Sequence, residues 1–173
     1  MNIANQLTTL RVILIPAFIF VFVTPTIPNN EYIAAMIFIV ASLTDFLDGY
    51  LARKLNLVSN FGKIMDPFAD KLLVLTALIY LAIAQIIPGW IVIVIIGREL
   101  LITSLRALVA DKGIILAASK LGKYKTATQM ISIILLIINI HTVGMILLYI
   151  ALILTIWSLI DYLMKMNKEI SLF

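Results

Sequence analysis

The sequence predicts an all-α integral membrane protein with six transmembrane helices, both termini cytoplasmic and a short N-terminal interfacial segment. Three observations predict it. Of 173 residues, 63% are apolar and 13% charged, whereas a soluble domain has roughly 45–50% apolar and about 25% charged residues. An aqueous surface cannot be covered with so few polar side chains. The apolar residues gather in six stretches near the length that crosses a hydrocarbon core of about 30 Å. Lys and Arg also accumulate on alternate connections, the asymmetry of cytoplasmic loops.

In order, the first span is expected over residues 8–24, with residues 2–7 as the interfacial lead-in and Pro25, Pro28 and Asn29 in the turn that follows. The second covers 32–51. The third covers 67–86, Pro67 suiting a first helical turn where its missing N–H costs nothing. Pro88 and Gly89 lead into the fourth, 90–109, and the segment from Asp111 to Gly113 closes it. The fifth and sixth, 126–140 and 143–163, meet at the corner Asn139-Ile140-His141.

Lys54 and Lys63 lie between spans two and three, Lys112, Lys120, Lys123 and Lys125 between four and five, and Lys165 and Lys168 after six. The three opposite connections contain no Lys or Arg. The net charge of +4 therefore reads as a basic face toward anionic lipid, and no nucleic-acid partner is expected. No positive cluster precedes the first span and no A-x-A-like site follows it, so a cleaved signal peptide is not expected. Six spans leave no room for a second domain, and residues 1–173 are read as one. The chain has no cysteine and a single histidine, His141, which excludes disulfides, iron–sulfur clusters and thiolate zinc and argues against a multi-histidine metal site.

The chemistry is concentrated at the cytoplasmic ends of spans two and three. Asp45, Asp48, Gly49, Ala52 and Arg53 fall at i, i+3, i+4, i+7 and i+8, one stripe of a helix. Asp66 and Asp70 are i and i+4 on the next span and share a face. A carboxylate at the centre of a membrane helix costs about 2.5–3.5 kcal/mol on insertion scales, and four on adjacent helices repel one another. A lone aspartate near a span end is ordinarily solvated, but two face-matched pairs with small residues and an Arg between them call for a strongly positive ligand. Carboxylates without Cys or His are hard oxygen donors that favour Mg²⁺ or Mn²⁺ over zinc, and two ions could share them. Gly49 and Ala52 would let a bulky ligand approach the backbone, and Arg53 offers a fork for phosphate.

These residues form Asp45-x2-Asp48-Gly49-x2-Ala52-Arg53-x8-Gly62-x3-Asp66-x3-Asp70, eight fixed positions within residues 45–70. The pattern resembles, position for position, the signature of the CDP-alcohol phosphotransferases, membrane enzymes that move a phosphatidyl group from CDP-diacylglycerol to an alcohol and release CMP. The likeness extends to the bacterial branch whose acceptor is glycerol 3-phosphate. It is carried by Asn2-Ile3-Ala4-Asn5-Gln6-Leu7-Thr8 through Arg11, by Gly97-Arg98-Glu99 with Ser104-Leu105-Arg106, and by Gly122-Lys123-Tyr124-Lys125-Thr126.

The resemblance implies that Asp45, Asp48 and Asp66 ligate metal, and that Asp70 helps to bind it and acts as general base. It implies that Gly49, Arg53 and Ser59 contact the CDP moiety, with Ala52 and Gly62 belonging to the same surface. Asn5 and Thr8 either line the nucleotide site or cap the first helix. A homodimer in the bacterial cytoplasmic membrane, among membrane lipids and with its active site toward the cytoplasm, is implied as well.

For the acceptor, a small dianion, the candidates are Arg98, Arg106, Lys123 and Lys125. Arg98 lies well inside the fourth span, where an unpaired charge is costly. Its neighbour Glu99 points about 100° away on a helix and is expected to be a poor partner, leaving Arg98 for the acceptor. Trp90, Trp157, Tyr80, Tyr149 and Tyr162 are read as an interfacial aromatic belt, and Asp161, Asn139 and His141 as span-end or corner residues. Ala34, Ala35 and Ala41 are expected to let helices pack closely. The alternatives are another acceptor for the same chemistry (an inositol phosphate, serine or a second phospholipid) or a divalent-cation transporter. A transporter needs acids through the depth of the bilayer, and it has no use for Gly49 and Arg53.

Overall fold

A computed structural model of the protein describes the backbone of residues 3–54, 60–111 and 120–170, and the side chains of residues 9–44, 68–69, 71–108 and 121–167. Among the described residues there are six α-helices and no strand: α1 (Ile3–Val23), α2 (Asn30–Lys54), α3 (Asn60–Ile83), α4 (Gly89–Asp111), α5 (Lys120–Ile137) and α6 (His141–Ile170). Three connections are tight, and each turns on a residue in the left-handed region, Asn29 (φ 54°), Gln85 (φ 58°) and Asn139 (φ 63°). After α3, the N–H of Ile86 reaches the Leu81 carbonyl (2.9 Å) and that of Gln85 reaches Ala82 (3.0 Å). After α5, Ile140 reaches Leu135 (2.8 Å) and Asn139 reaches Leu136 (3.2 Å). Both are paired Schellman closures, which satisfy carbonyls that a helix end otherwise leaves bare. Between α1 and α2, the side-chain amide of Asn30 donates to the Phe22 carbonyl (3.3 Å).

The helices outrun the apolar windows at the motif end of the bundle. α3 begins at Asn60, so Pro67 lies inside it and not in its first turn. α5 begins at Lys120, which puts Lys123 and Lys125 on the helix and not in a loop. Hydropathy marks where a surface stops suiting lipid, whereas the backbone ladder continues for as long as polar side chains tolerate helix.

Among the described residues one stretch, His141–Asn167, is long and apolar enough to cross a bilayer, with a mean hydropathy of 2.5. The apolar runs Thr9–Val23, Asn30–Thr44 and Lys71–Ile83 are shorter.

The core lies between the helices and is closed by small residues. Ala34, Ala35 and Ala41 are buried, as is Ala77 on α3, and Phe18 of α1 meets Phe38 of α2 at 6.1 Å between ring centroids. The outward surface is apolar too: Phe20, Met36, Ile93, Leu100 and Trp157 are all exposed. Two buried hydroxyls of α6 are satisfied along their own helix, Thr155 donating to the Ala151 carbonyl (2.6 Å) and Ser158 to the Thr155 carbonyl (3.0 Å).

α5 and α6 are in tight contact at Gly144. A Cβ there would stand 2.7 Å from Cγ of Leu136, and Ser132 Oγ donates to the Gly144 carbonyl (2.8 Å) across the same contact. Leu136 is fully buried and has nowhere to retreat. Gly144→Ala is therefore expected to destabilise the protein by about 1–3 kcal/mol through overpacking, and Leu136→Ala alone by about 2–5 kcal/mol through a cavity. Thermal unfolding in detergent should show the double variant to be more stable than the sum of the two losses, because each change relieves the other. Strict additivity would refute the steric account.

Candidate active site

α2 and α3 pack against each other and carry the signature on the ends joined by their connection. Asp45, Asp48, Gly49, Ala52 and Arg53 lie in the last turns of α2, and Gly62, Asp66 and Asp70 in the first half of α3. Their side chains lie outside the described residues, as do those of Asn5 and Thr8 on α1; Ser59 lies wholly outside them. Lys71 follows Asp70 directly, and its side chain enters a cavity of about 580 Å³ formed by α3, α4, α5 and α6. The last signature position thus sits one peptide away from this cavity's wall.

The cavity is strongly basic. Lys71 of α3, Arg98 and Arg106 of α4 and Lys123 of α5 all border it, with Glu99 as the acid among its lining residues. Of the four cations expected to meet the acceptor, Arg98, Arg106 and Lys123 come together here. Lys125 does not reach this cavity. It is 5% exposed and borders an adjoining space of about 40 Å³ with Lys71, Glu99 and Gln129.

Glu99 is the partner that sequence spacing argued against. Its Oε1 accepts from Arg98 Nη1 (2.9 Å) and from Lys125 Nζ (2.5 Å). The rule that adjacent residues diverge by about 100° holds for Cβ directions; a guanidinium at the end of a long side chain can swing back across that angle. Arg98 Nη2 donates in addition to Ser158 Oγ on α6 (2.9 Å). One carboxylate thereby joins α4 to α5, and its Arg partner joins α4 to α6. Arg98 and Lys125 thus share a single counter-charge, while among the described residues Arg106 and Lys123 have no carboxylate partner.

Three further residues shape the site without having stood out in the sequence. Lys71 donates to Thr103 Oγ1, which itself donates to the Glu99 carbonyl (2.7 Å). A cation inside an otherwise apolar run was a readable signal for Lys71, the same one that singled out Arg98. Tyr162 had no such signal. Read as a belt residue, it is 4% exposed and borders the cavity, whereas Trp90, Trp157 and Tyr149 do face outward. Asp161 is held by Lys165 in an i,i+4 pair (2.8 Å) outside the cavity.

Among the described residues no group of three or more His, Asp or Glu is gathered in a way that could hold a metal ion; the signature aspartates are not among them.

The family model of CDP-alcohol phosphatidyltransferases matches residues 1–157. A Bacillus subtilis (strain 168) relative named CDP-diacylglycerol--glycerol-3-phosphate 3-phosphatidyltransferase is 46% identical over 149 residues, covering 80% of this chain and 77% of its own. Relatives of the same name from Haemophilus influenzae and Escherichia coli K12 are 43% and 39% identical, covering 94% and 98% of this chain and 91% and 97% of theirs. The signature on α2 and α3, the basic cavity beside it and these matches agree, and the chain belongs to the CDP-alcohol phosphatidyltransferase family.

Proposed function

We propose that this protein transfers the phosphatidyl group of CDP-diacylglycerol to sn-glycerol 3-phosphate, giving phosphatidylglycerophosphate and CMP. The observation that carries the reading is the cavity one peptide beyond Asp70, in which Arg106 and Lys123 have no acidic partner among the described residues. A dianionic acceptor needs such cations. Serine, neutral overall, does not.

The reaction needs position and charge stabilisation more than covalent help from the protein. The acceptor phosphate rests against Arg106 and Lys123, which turns the glycerol hydroxyl toward the signature helices. Asp70 takes the hydroxyl proton, the hydroxyl oxygen bonds to the phosphorus carrying the diacylglycerol, and the bond from that phosphorus to the bridging oxygen breaks to release CMP. Arg53, Gly49, Ala52, Ser59 and Gly62, with Asn5 and Thr8, form the nucleotide side.

Asp45, Asp48, Asp66 and Asp70 offer only oxygen donors, in pairs spaced one helical turn apart, a set that fits hard divalent cations such as Mg²⁺ or Mn²⁺. Two such ions, when bound, would neutralise the diphosphate of the donor. In this reading all six helices are spans and both termini face the cytoplasm, with the Lys-rich connections and the active site on that side of the bacterial cytoplasmic membrane. The apolar outward surface and the length of α6 support it. The protein works as a homodimer, as the family resemblance implies.

The test is CMP release by the purified protein in detergent, with Mg²⁺ and CDP-diacylglycerol, comparing glycerol 3-phosphate, inositol phosphate, serine and glycerol. Release is expected with glycerol 3-phosphate, and its loss in Asp70→Asn or on chelation. Release with a different acceptor would retain the family and replace the substrate. No release with any acceptor from folded, metal-supplied protein would favour cation transport.

Arg106→Gln and Lys123→Gln should each raise the KM for glycerol 3-phosphate about tenfold or more, the weight of a hydrogen bond to a charged group, and leave the KM for CDP-diacylglycerol unchanged. Glu99→Gln should act differently. It leaves Arg98 and Lys125 enclosed without their anion and should lower stability by about 3–5 kcal/mol, read as a fall in the ligand-free Tm. An unchanged Tm would mean that the triad carries no structural weight.

A further inference from the structure

Arg11 is a cation that neither the basic cavity nor the Glu99 contacts use. It lies near the middle of α1, in an apolar helix, and is 0% exposed. A guanidinium stays charged at any working pH, and enclosing one among apolar helices is tolerable only against an anion. α1 itself contains no acid. Among the described residues it packs against α2 and α3 and no other helix. The acids of those two helices are Glu31, Asp45, Asp48, Asp66 and Asp70. Glu31 lies in the first turn of α2, at the opposite end from the signature. The acids left in the surroundings of Arg11 are the four signature aspartates.

Register selects among them. α1 and α2 run antiparallel on either side of a short turn, and Phe18 meets Phe38 across their contact at 6.1 Å between ring centroids. Arg11 is seven residues before Phe18 and Asp45 seven after Phe38, which is about two turns in the same direction along each helix. Ile15 and Ala41, in the same two stripes, are both buried. Backbone register thus sets Asp45 opposite Arg11 at one depth. Asp70 comes to a similar depth on α3, counted back from Val23 and Ile83, which border one cavity at the far end.

We infer that Arg11 is a positioning residue of the signature: its guanidinium fork holds the Asp45 carboxylate in one orientation, so that the remaining lone pairs are presented to a divalent cation. This rests on the proposed metal-binding role of the aspartates and adds the α1 residue that prepares one of them. Two effects oppose each other when Arg11 is removed. Losing a positive charge favours cation binding, whereas losing the group that orients a ligand costs about 10–100-fold in metal affinity. The Arg11 charge is already offset by its carboxylate partner, so the second effect prevails.

The probe is Mn²⁺, titrated without substrates into the purified full-length protein in detergent, with free ion read by electron paramagnetic resonance. Arg11→Gln should weaken Mn²⁺ binding about tenfold or more. Arg11→Lys, a point charge without the fork, should recover part of the loss. In turnover the half-activating Mn²⁺ concentration should rise likewise, with the KM for glycerol 3-phosphate unchanged. Thermal unfolding in chelator reads the contact separately. Asp45→Asn should lower the Tm when Arg11 is present and raise it, or restore folding, in the Arg11→Gln background, whereas Asp70→Asn should act alike in both.

Unchanged or tighter Mn²⁺ binding in Arg11→Gln would overturn the positioning role, as would a raised acceptor KM at wild-type metal affinity. So would an equal effect of Asp45→Asn in both backgrounds, or the reversal appearing with Asp70→Asn instead. If the unsubstituted protein binds no Mn²⁺, the metal-binding reading of the signature falls and this inference with it. That failure appears before any substitution is made and is distinct from the others.

Discussion

The carboxylate of Glu99 holds the cavity end of the bundle together. It accepts from Arg98 on its own helix and from Lys125 on α5, and Arg98 continues to Ser158 on α6. Charges enclosed among apolar helices are tolerable only when paired and hydrogen-bonded, so the position of each partner constrains the others. α4, α5 and α6 are pinned to one another at the depth where the cavity opens. Because Glu99 is committed to Arg98 and Lys125, the cavity cations without a carboxylate partner among the described residues are Lys71, Arg106 and Lys123. The acid thereby sets both the shape of the site and its charge.

Around this point the packing is conventional for closely spaced helices. Ala34, Ala35 and Ala41 of α2 are buried, Gly144 lets α6 lie against Leu136, and the hydroxyls of Thr155 and Ser158 return their hydrogen bonds to carbonyls on their own helix. These devices leave few polar groups needing partners in the core. Gln129, Arg98 and Tyr162, which carry buried side-chain donors without partners, are residues of the two cavity walls. A polar group left bare in an apolar core would cost about 1–3 kcal/mol; one left bare at a binding site is available for recognition.

Much of this was legible beforehand for identifiable reasons. The number of helices followed from apolar stretches separated by turn residues, and Asn139 marked a helix end because asparagine tolerates the left-handed conformation. Gln85 makes the same closure without such a signal. The starts of α3 and α5 were placed too late, since a helix continues past the residues that suit lipid. The pairing of Arg98 with Glu99 was missed because an angular rule for Cβ atoms was applied to the tip of a flexible side chain. Tyr162 was assigned to the membrane interface because an aromatic near a span end reads the same whether it points outward or inward.

The sequence by itself determined the chemistry: a run of aspartates at helical spacing with Gly49, Ala52 and Arg53 between them, on an apolar chain without cysteine. That information is local, because spacing along one helix decides which side chains share a face. Tertiary structure alone decided which cations, among the described residues, lack a carboxylate partner. Lys125 and Arg98 are bound to Glu99, whereas Lys71 and Tyr162, from helices far apart in the chain, join Arg106 and Lys123 around one cavity. Those relations depend on the rotation and depth at which α3, α4, α5 and α6 pack, and no periodicity within a single helix encodes how its neighbours are set against it.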